Sequence, residues 1–209
     1  KVRDEIVTFG RPEEIIVDEK GVVGGGKHIK PDQVHDMIIN KKAILLDGRN
    51  NYESAVGKFK GAITPDVNNT REFISEIEKP KYNKLKNKTI ITYCTGGIRC
   101  EVLTSLMKNR GFKDVYQIEG GIAKYIEKYG DKDLWEGSLY VFDKRMGLKP
   151  SDETKDIGNC TYCDSNTSRY INCANKACNQ LILVCDTCDQ ETFCRLCVGI
   201  KIAQTSKKV

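Results

Sequence analysis

The chain has 209 residues, of which 39% are hydrophobic and 30% charged, and its formal net charge is +5. This is enough for one mid-sized folded domain with a small second one, or for two small ones, and excludes disordered and collagen-like classes. No apolar run approaches the ~20 residues of a membrane helix, and the opening KVRDEIVTFG alternates charged and apolar residues, unlike a secretory signal. The charge permits an anionic partner without establishing one.

VRDEIVTF reads as a strand, expected to be the end of a preceding N-terminal domain, and Gly10 to Lys30, with Gly24-Gly25-Gly26, reads as a linker or ordered arm. From Pro31 the texture changes. PDQVHDMIIN places Val34, Met37 and Ile38 at helical spacing behind a first-turn proline. AILLD (43–47) is a short continuous apolar run, as in a strand covered on both faces. REFISEIEK (71–79) predicts a helix with Phe73, Ile74 and Ile77 on one face, and TIITYC (89–94) a second buried strand. A helix over 98–109, a strand over 114–120 and a helix over 121–130 follow, and SLYVFD (138–143) reads as a last strand or edge hairpin. Such alternation predicts an α/β domain over 31–150, a parallel sheet with helices on both faces. Function in such sheets gathers at the carboxyl ends of the strands, where Asp47 and Cys94 stand.

The ten cysteines divide the chain. Residues 1–150 hold Cys94 and Cys100 and carry 27 basic and 22 acidic side chains, net +5; the other eight cysteines fall between Cys160 and Cys197, in a tail (151–209) with 7 basic and 7 acidic.

Cys94-Thr95-Gly96-Gly97-Ile98-Arg99 joins a buried strand to a helix. Two glycines let the backbone curl so that several N–H groups face one point. The helix start and Arg99 add positive potential, and all of these favour a thiolate at Cys94. The same cradle suits a small anion or the terminal sulfur of a persulfide. Cys100, next on the helix, is expected to pack in the core rather than to act as a resolving thiol.

DGRNNYESAVGKFKGA (47–62) resembles the entry motif of rhodanese domains. YCTGGIRCE (93–101), VYQIEGGI (115–122), YVFDKRM (140–146) and the cysteine-rich tail extend the resemblance to the bacterial tRNA uridine(34) hydroxylase family over residues 1–197. The resemblance implies a rhodanese-like fold and a cytoplasmic enzyme that uses molecular oxygen to hydroxylate the wobble uridine of tRNA. It implies that Cys94 is a persulfide-forming nucleophile, that Gly96, Gly97 and Arg99 build its cradle, and that Asp47 and Arg49 orient the loop; an internal salt bridge is the alternative for that pair. Many rhodaneses have Gly-His where this chain has Gly57-Lys58, so no histidine base stands there. The six-residue span from Cys94 to Arg99 matches sulfur carriers, whereas the related phosphatases have one residue more. A sulfurtransferase fed by a small sulfur donor is the second reading, and a non-catalytic zinc and RNA-binding module the third.

The tail spacing is Cys160-x2-Cys163, Cys173-x4-Cys178, Cys185-x2-Cys188 and Cys194-x2-Cys197. Four close pairs predict two structural zinc ions, each closed by four thiolates. Spacing alone allows consecutive pairs to share an ion, or first with third and second with fourth. Between Lys79 and Lys113 nine basic residues face one acid, Glu101, a net +8 expected to surround the reactive loop and to attract a phosphate backbone.

Overall fold

A computed structural model describes residues 9–190 and 192–198. The opening strand expected over VRDEIVTF lies outside them, apart from Phe9. Segment 10–30 is more structured than its glycines foretell. It holds a short hairpin, β1 (Val17–Asp18) with β2 (Gly21–Val22), and then β3 (Lys27–Ile29). β3 joins the central sheet, pairing parallel with β7 (Asp114–Ile118) through Ile29↔Ile118.

The sheet is a four-stranded parallel layer in the order β3-β7-β6-β4, with β4 at Ile44–Asp47 and β6 at Thr89–Tyr93. Its strands alternate between two cores. Leu46, Ile90 and Val115 point to one face, against Phe73, Ile74 and Ile77 of α3 (Phe73–Ile77) and Leu103, Leu106 and Met107 of α4 (Ile98–Asn109). Leu45, Ile91, Tyr93 and Ile118 point to the other, against Val34 of α1 (Pro31–Ile39) and Ile122 and Tyr125 of α5 (Gly121–Tyr129). Each such side chain contributes about 1.5–3 kcal/mol by leaving water, so these clusters fix which end of every strand presents its loop. The helices expected over 31–40, 98–109 and 121–130 stand where periodicity puts them; 71–79 is shorter, with a 3-10 turn at Thr70–Glu72 before α3.

The expected strand over SLYVFD is displaced. β8 is Trp135–Gly137, antiparallel to β5 (Gly57–Phe59), and beyond it only a single bridge joins Leu139 to Leu148. The apolar alternation there is genuine but serves two surfaces: Leu139 and Val141 pack on the body core, and Tyr140 packs on Tyr170 of the tail and on Val56 beside it. The tail is built on one hairpin, β9 (Tyr170–Asn172) with β10 (Leu181–Leu183). Ile182 faces the cysteines Cys173, Cys194 and Cys197, while Leu183 faces the body.

Candidate active site and metal centres

Cys94 directly follows β6 and sits on the floor of its loop, 2% exposed. Gly97, at φ +92°, turns its N–H inward to donate to Cys94 Sγ at 3.2 Å. Gly96, by contrast, has open space where a Cβ would be, so only the second glycine is required by the turn. The loop carbonyls point the other way, into α5: Ile122 N–H donates to Cys94 O at 2.9 Å and Ala123 N–H to Thr95 O at 3.0 Å. Gly121 permits this. A Cβ there would lie 2.7 Å from Gly97 N and 2.8 Å from Thr95 O, and closer still to Cys94 O, at a backbone φ of +64°. CTGGIR and EGGI are therefore two halves of one backbone contact.

The thiol of Cys94 is pulled down to about 6, first by a hydrogen bond from the Cys100 thiol, against the opposing effect of burial, and then by the Arg99 charge and the backbone N–H groups of Cys100 and Arg99. Cys100 itself is held well above the usual thiol range by donating to Cys94 and by its own burial. Cys100 is packed at 0% exposure, as expected, and its thiol also helps to lower that of Cys94.

Arg99 does not stand free beside the thiolate. Its guanidinium forms a two-pronged pair with Glu53, 2.6 Å on each prong, and Nη2 reaches Thr95 Oγ1 at 3.5 Å. Burial opposes the Arg99 charge, and the pair with Glu53 outweighs it, so the guanidinium stays protonated. Glu53 is fully buried in α2 (Asn51–Ser54); it lies within the entry-motif stretch 47–62, but its pairing with Arg99 is visible only in the fold. Asp47 and Arg49 form a separate buried pair, with Nε–Oδ1 at 2.9 Å and Nη2–Oδ2 at 2.6 Å. Arg49 also donates to Gly57 O at 2.7 Å and lies against the rings of Tyr93 and Trp135. Between the two, Gly48 N–H donates to Tyr93 O at 2.8 Å. The pair thus ties the β4 loop to the strand that carries Cys94. Ile98, on the first turn of α4, is 60% exposed at the mouth.

The lysine-rich patch is not at this site. Lys88 and Lys113 immediately precede β6 and β7, at the amino ends of the strands, so six residues of extended chain, about 20 Å, separate Lys88 from Cys94. Lys108 and Arg110 close the far end of α4. Lys79 and Lys81 are paired with Glu76, and Arg110 with Glu14 and Glu78. The sequence could not show that α4 runs back to the same end at which β6 begins.

The eight tail cysteines gather as Cys160, Cys163, Cys185 and Cys188 and as Cys173, Cys178, Cys194 and Cys197, with all sulfurs of a group within 4.8 Å of one another. The hairpin dictates this crossing: the first pair precedes β9 and the third follows β10, so both lie at its open end, while Cys173 and Cys178 occupy its loop. Sulfurs 3.5 Å (Cys163–Cys185) and 3.7 Å (Cys178–Cys194) apart match a tetrahedral ion with ~2.3 Å bonds, which spaces its ligands by about 3.8 Å. Backbone N–H groups of Cys185 and Cys194 donate to Cys160 Sγ (3.5 Å) and Cys173 Sγ (3.3 Å), as anionic sulfurs require. Both groups can hold a metal ion.

A family model described as rhodanese-like domain matches residues 30–128, and one described as rhodanase C-terminal matches 136–198. The tRNA uridine(34) hydroxylase of Corynebacterium jeikeium is 54% identical over 211 residues, covering 100% of this chain and 68% of its own length. That of an Arthrobacter species is 57% identical over 193 residues, covering 90% and 65%. The chain thus spans about two thirds of the length of these curated relatives. A solved rhodanese-like domain from Anabaena is 18% identical, with a TM-score of 0.43 over 53% of this chain and 78% of that one.

Proposed function

Because the chain belongs to the tRNA uridine(34) hydroxylase family, we propose that it is an enzyme that places a hydroxyl group on carbon 5 of the wobble uridine of tRNA, with Cys94 as its reactive group. The observation that carries the residue assignment is the Cys94 thiolate, lowered to about 6 at the floor of a loop that directs N–H donors inward. Molecular oxygen is the co-substrate that membership of the family implies. The chain's own residues hold the sulfur: Gly97 N–H and the Cys100 thiol share its negative charge, Arg99 is fixed in place by Glu53, and α5 anchors the loop carbonyls. The same donors accommodate the outer sulfur of a persulfide loaded from a small donor. Asp47 and Arg49 support the loop from the neighbouring strand.

Zinc is the ion proposed for both cysteine groups, since four thiolates at tetrahedral spacing are its preferred structural set and leave no open position for water. A cytoplasmic location is proposed with it, since metal-binding thiolates suit a reducing compartment. No described helix is long and apolar enough to cross a membrane.

Mass spectrometry of tRNA nucleosides tests the reaction, using cells that lack the protein and carry either the wild-type gene or Cys94→Ala. The wild type restores 5-hydroxyuridine and the alanine variant leaves it at background, with unchanged folding. Equal restoration by both variants removes Cys94 from the reaction. No change with the wild type removes the hydroxylase assignment, and thiosulfate:cyanide turnover by the purified protein would then establish the sulfurtransferase.

A further inference from the structure

The mouth of the Cys94 loop is bounded by a closed ring of contacts. Arg99 binds Glu53; Glu53 Oε1 accepts from Asn50 N–H at 3.1 Å; Asn50 Nδ2 donates to the Tyr52 hydroxyl at 3.2 Å. Tyr52 meets Tyr140 edge-on at 5.0 Å, Tyr140 meets Phe142 edge-on at 5.2 Å, and the Arg99 guanidinium returns to the Phe142 ring at 5.6 Å. Every member of the ring is at least partly buried except Phe142, which is 66% exposed. An aromatic ring held by an edge-on tyrosine and a pinned arginine, yet open to solvent, is a prepared surface and not a loose side chain. Asp143 follows it and is paired with Arg145 at 2.6 Å, which leaves Lys144 as the adjacent base without an acidic partner among the described residues, an aromatic-with-basic pairing suited to a single-stranded nucleic-acid contact. The lysine patch at the opposite end of the sheet cannot fill this role.

The geometry points to Phe142 as the stacking platform for the pyrimidine base presented to Cys94. This rests on the hydroxylase reading. A sulfur on the floor of a loop can meet carbon 5 only if the base leaves its neighbours in the anticodon loop, and the stacking lost there has to be replaced in the enzyme. Phe142 offers that replacement, and Arg99, fixed by Glu53, holds the ring at the edge of the thiol's loop. Ile98, next to Arg99 on the first turn of α4, is a second apolar side chain open to solvent at 60% exposure.

The test compares Phe142→Leu and Phe142→Trp with the wild type on an anticodon stem-loop RNA. Leucine keeps apolar bulk and loses the ring, so KM should rise roughly tenfold to a hundredfold, with a smaller change in kcat, and tryptophan should restore it. The tryptophan variant also reports directly. The chain's one natural tryptophan, Trp135, is fully buried. Fluorescence of the introduced indole should be quenched by RNA bearing uracil at position 34 and not by the same RNA abasic there. Equal quenching by both RNAs, or an unchanged KM for the leucine variant, overturns the assignment. Base-dependent quenching in a protein whose wild type leaves 5-hydroxyuridine unchanged keeps the platform and discards the reaction.

Discussion

The body and the tail use the same residue for opposite ends. In the body, one thiolate is stabilised by donors that come from elsewhere: a neighbouring thiol, a glycine N–H, an arginine already neutralised by Glu53. Nothing there consumes the sulfur's lone pairs permanently, so the charge remains available to react. In the tail, thiolates stand four together, close enough for mutual repulsion, and only a cation makes the arrangement favourable. The contrast teaches that a cysteine's chemistry is set by what balances its charge: hydrogen-bond donors leave a nucleophile, and a closed metal site makes an inert staple.

The largest effect that separates the two regions is metal removal. A structural zinc site contributes on the order of 10 kcal/mol to folding, more than a tail with so few large apolar side chains can lose. Cys194→Ser should lower zinc from two ions to about one per chain, measured by elemental mass spectrometry, and open residues 160–198 to proteolysis while the body stays resistant. The mouth should loosen with it, because the Tyr170 hydroxyl donates to Tyr52 O at 2.8 Å and Tyr140 packs edge-on against Tyr170. Retention of both ions would mean that the four sulfurs do not form one site.

Much of this was legible before any coordinates. The apolar runs at 43–47 and 89–94 and the periodicity over 98–109 put Cys94 at a strand end and a helix behind it, because each of those elements buries its own pattern. The eight metal-ligand candidates were equally plain from spacing. Their crossing was not, since it depends on the β9–β10 hairpin, whose three-residue strands carry no periodic signal. The lysine cluster misled for a related reason: proximity in sequence to Cys94 spans a full strand or helix, and so places charge at the wrong end of the sheet. Glu53 and Phe142 were hidden because each gains its role from a partner, Arg99, that lies 46 and 43 positions away.

A smaller effect distinguishes two glycines of the body and shows how rigid the loop must be. Gly121→Ala puts a methyl group onto the backbone of Cys94, Thr95 and Gly97 at a positive φ, and should cost about 2–4 kcal/mol in a urea melt. Gly96→Ala, with open space around it, should change stability by less than about 0.5 kcal/mol. If the two behave alike, the loop is not anchored through α5.

The subtlest expectation concerns pH. Cys94 is pulled down to about 6, so the folded protein favours its thiolate and native alkylation of Cys94 should rise through a midpoint near pH 6. The sign is that of a lowered acid: below the midpoint the thiol is protonated and slow, above it the rate is flat. Since the Cys100 thiol is the largest single cause, Cys100→Ala should move the midpoint upward, toward the ordinary thiol range near 8.5. Peptide mass spectrometry after timed iodoacetamide treatment reads both the midpoint and the contrast with the tail, whose sulfurs, if they hold the proposed ions, should label slowly at every pH where those ions stay bound. A midpoint unmoved by Cys100→Ala would transfer the control of Cys94 to the loop N–H groups and Arg99. Cys100 would then be left with packing alone.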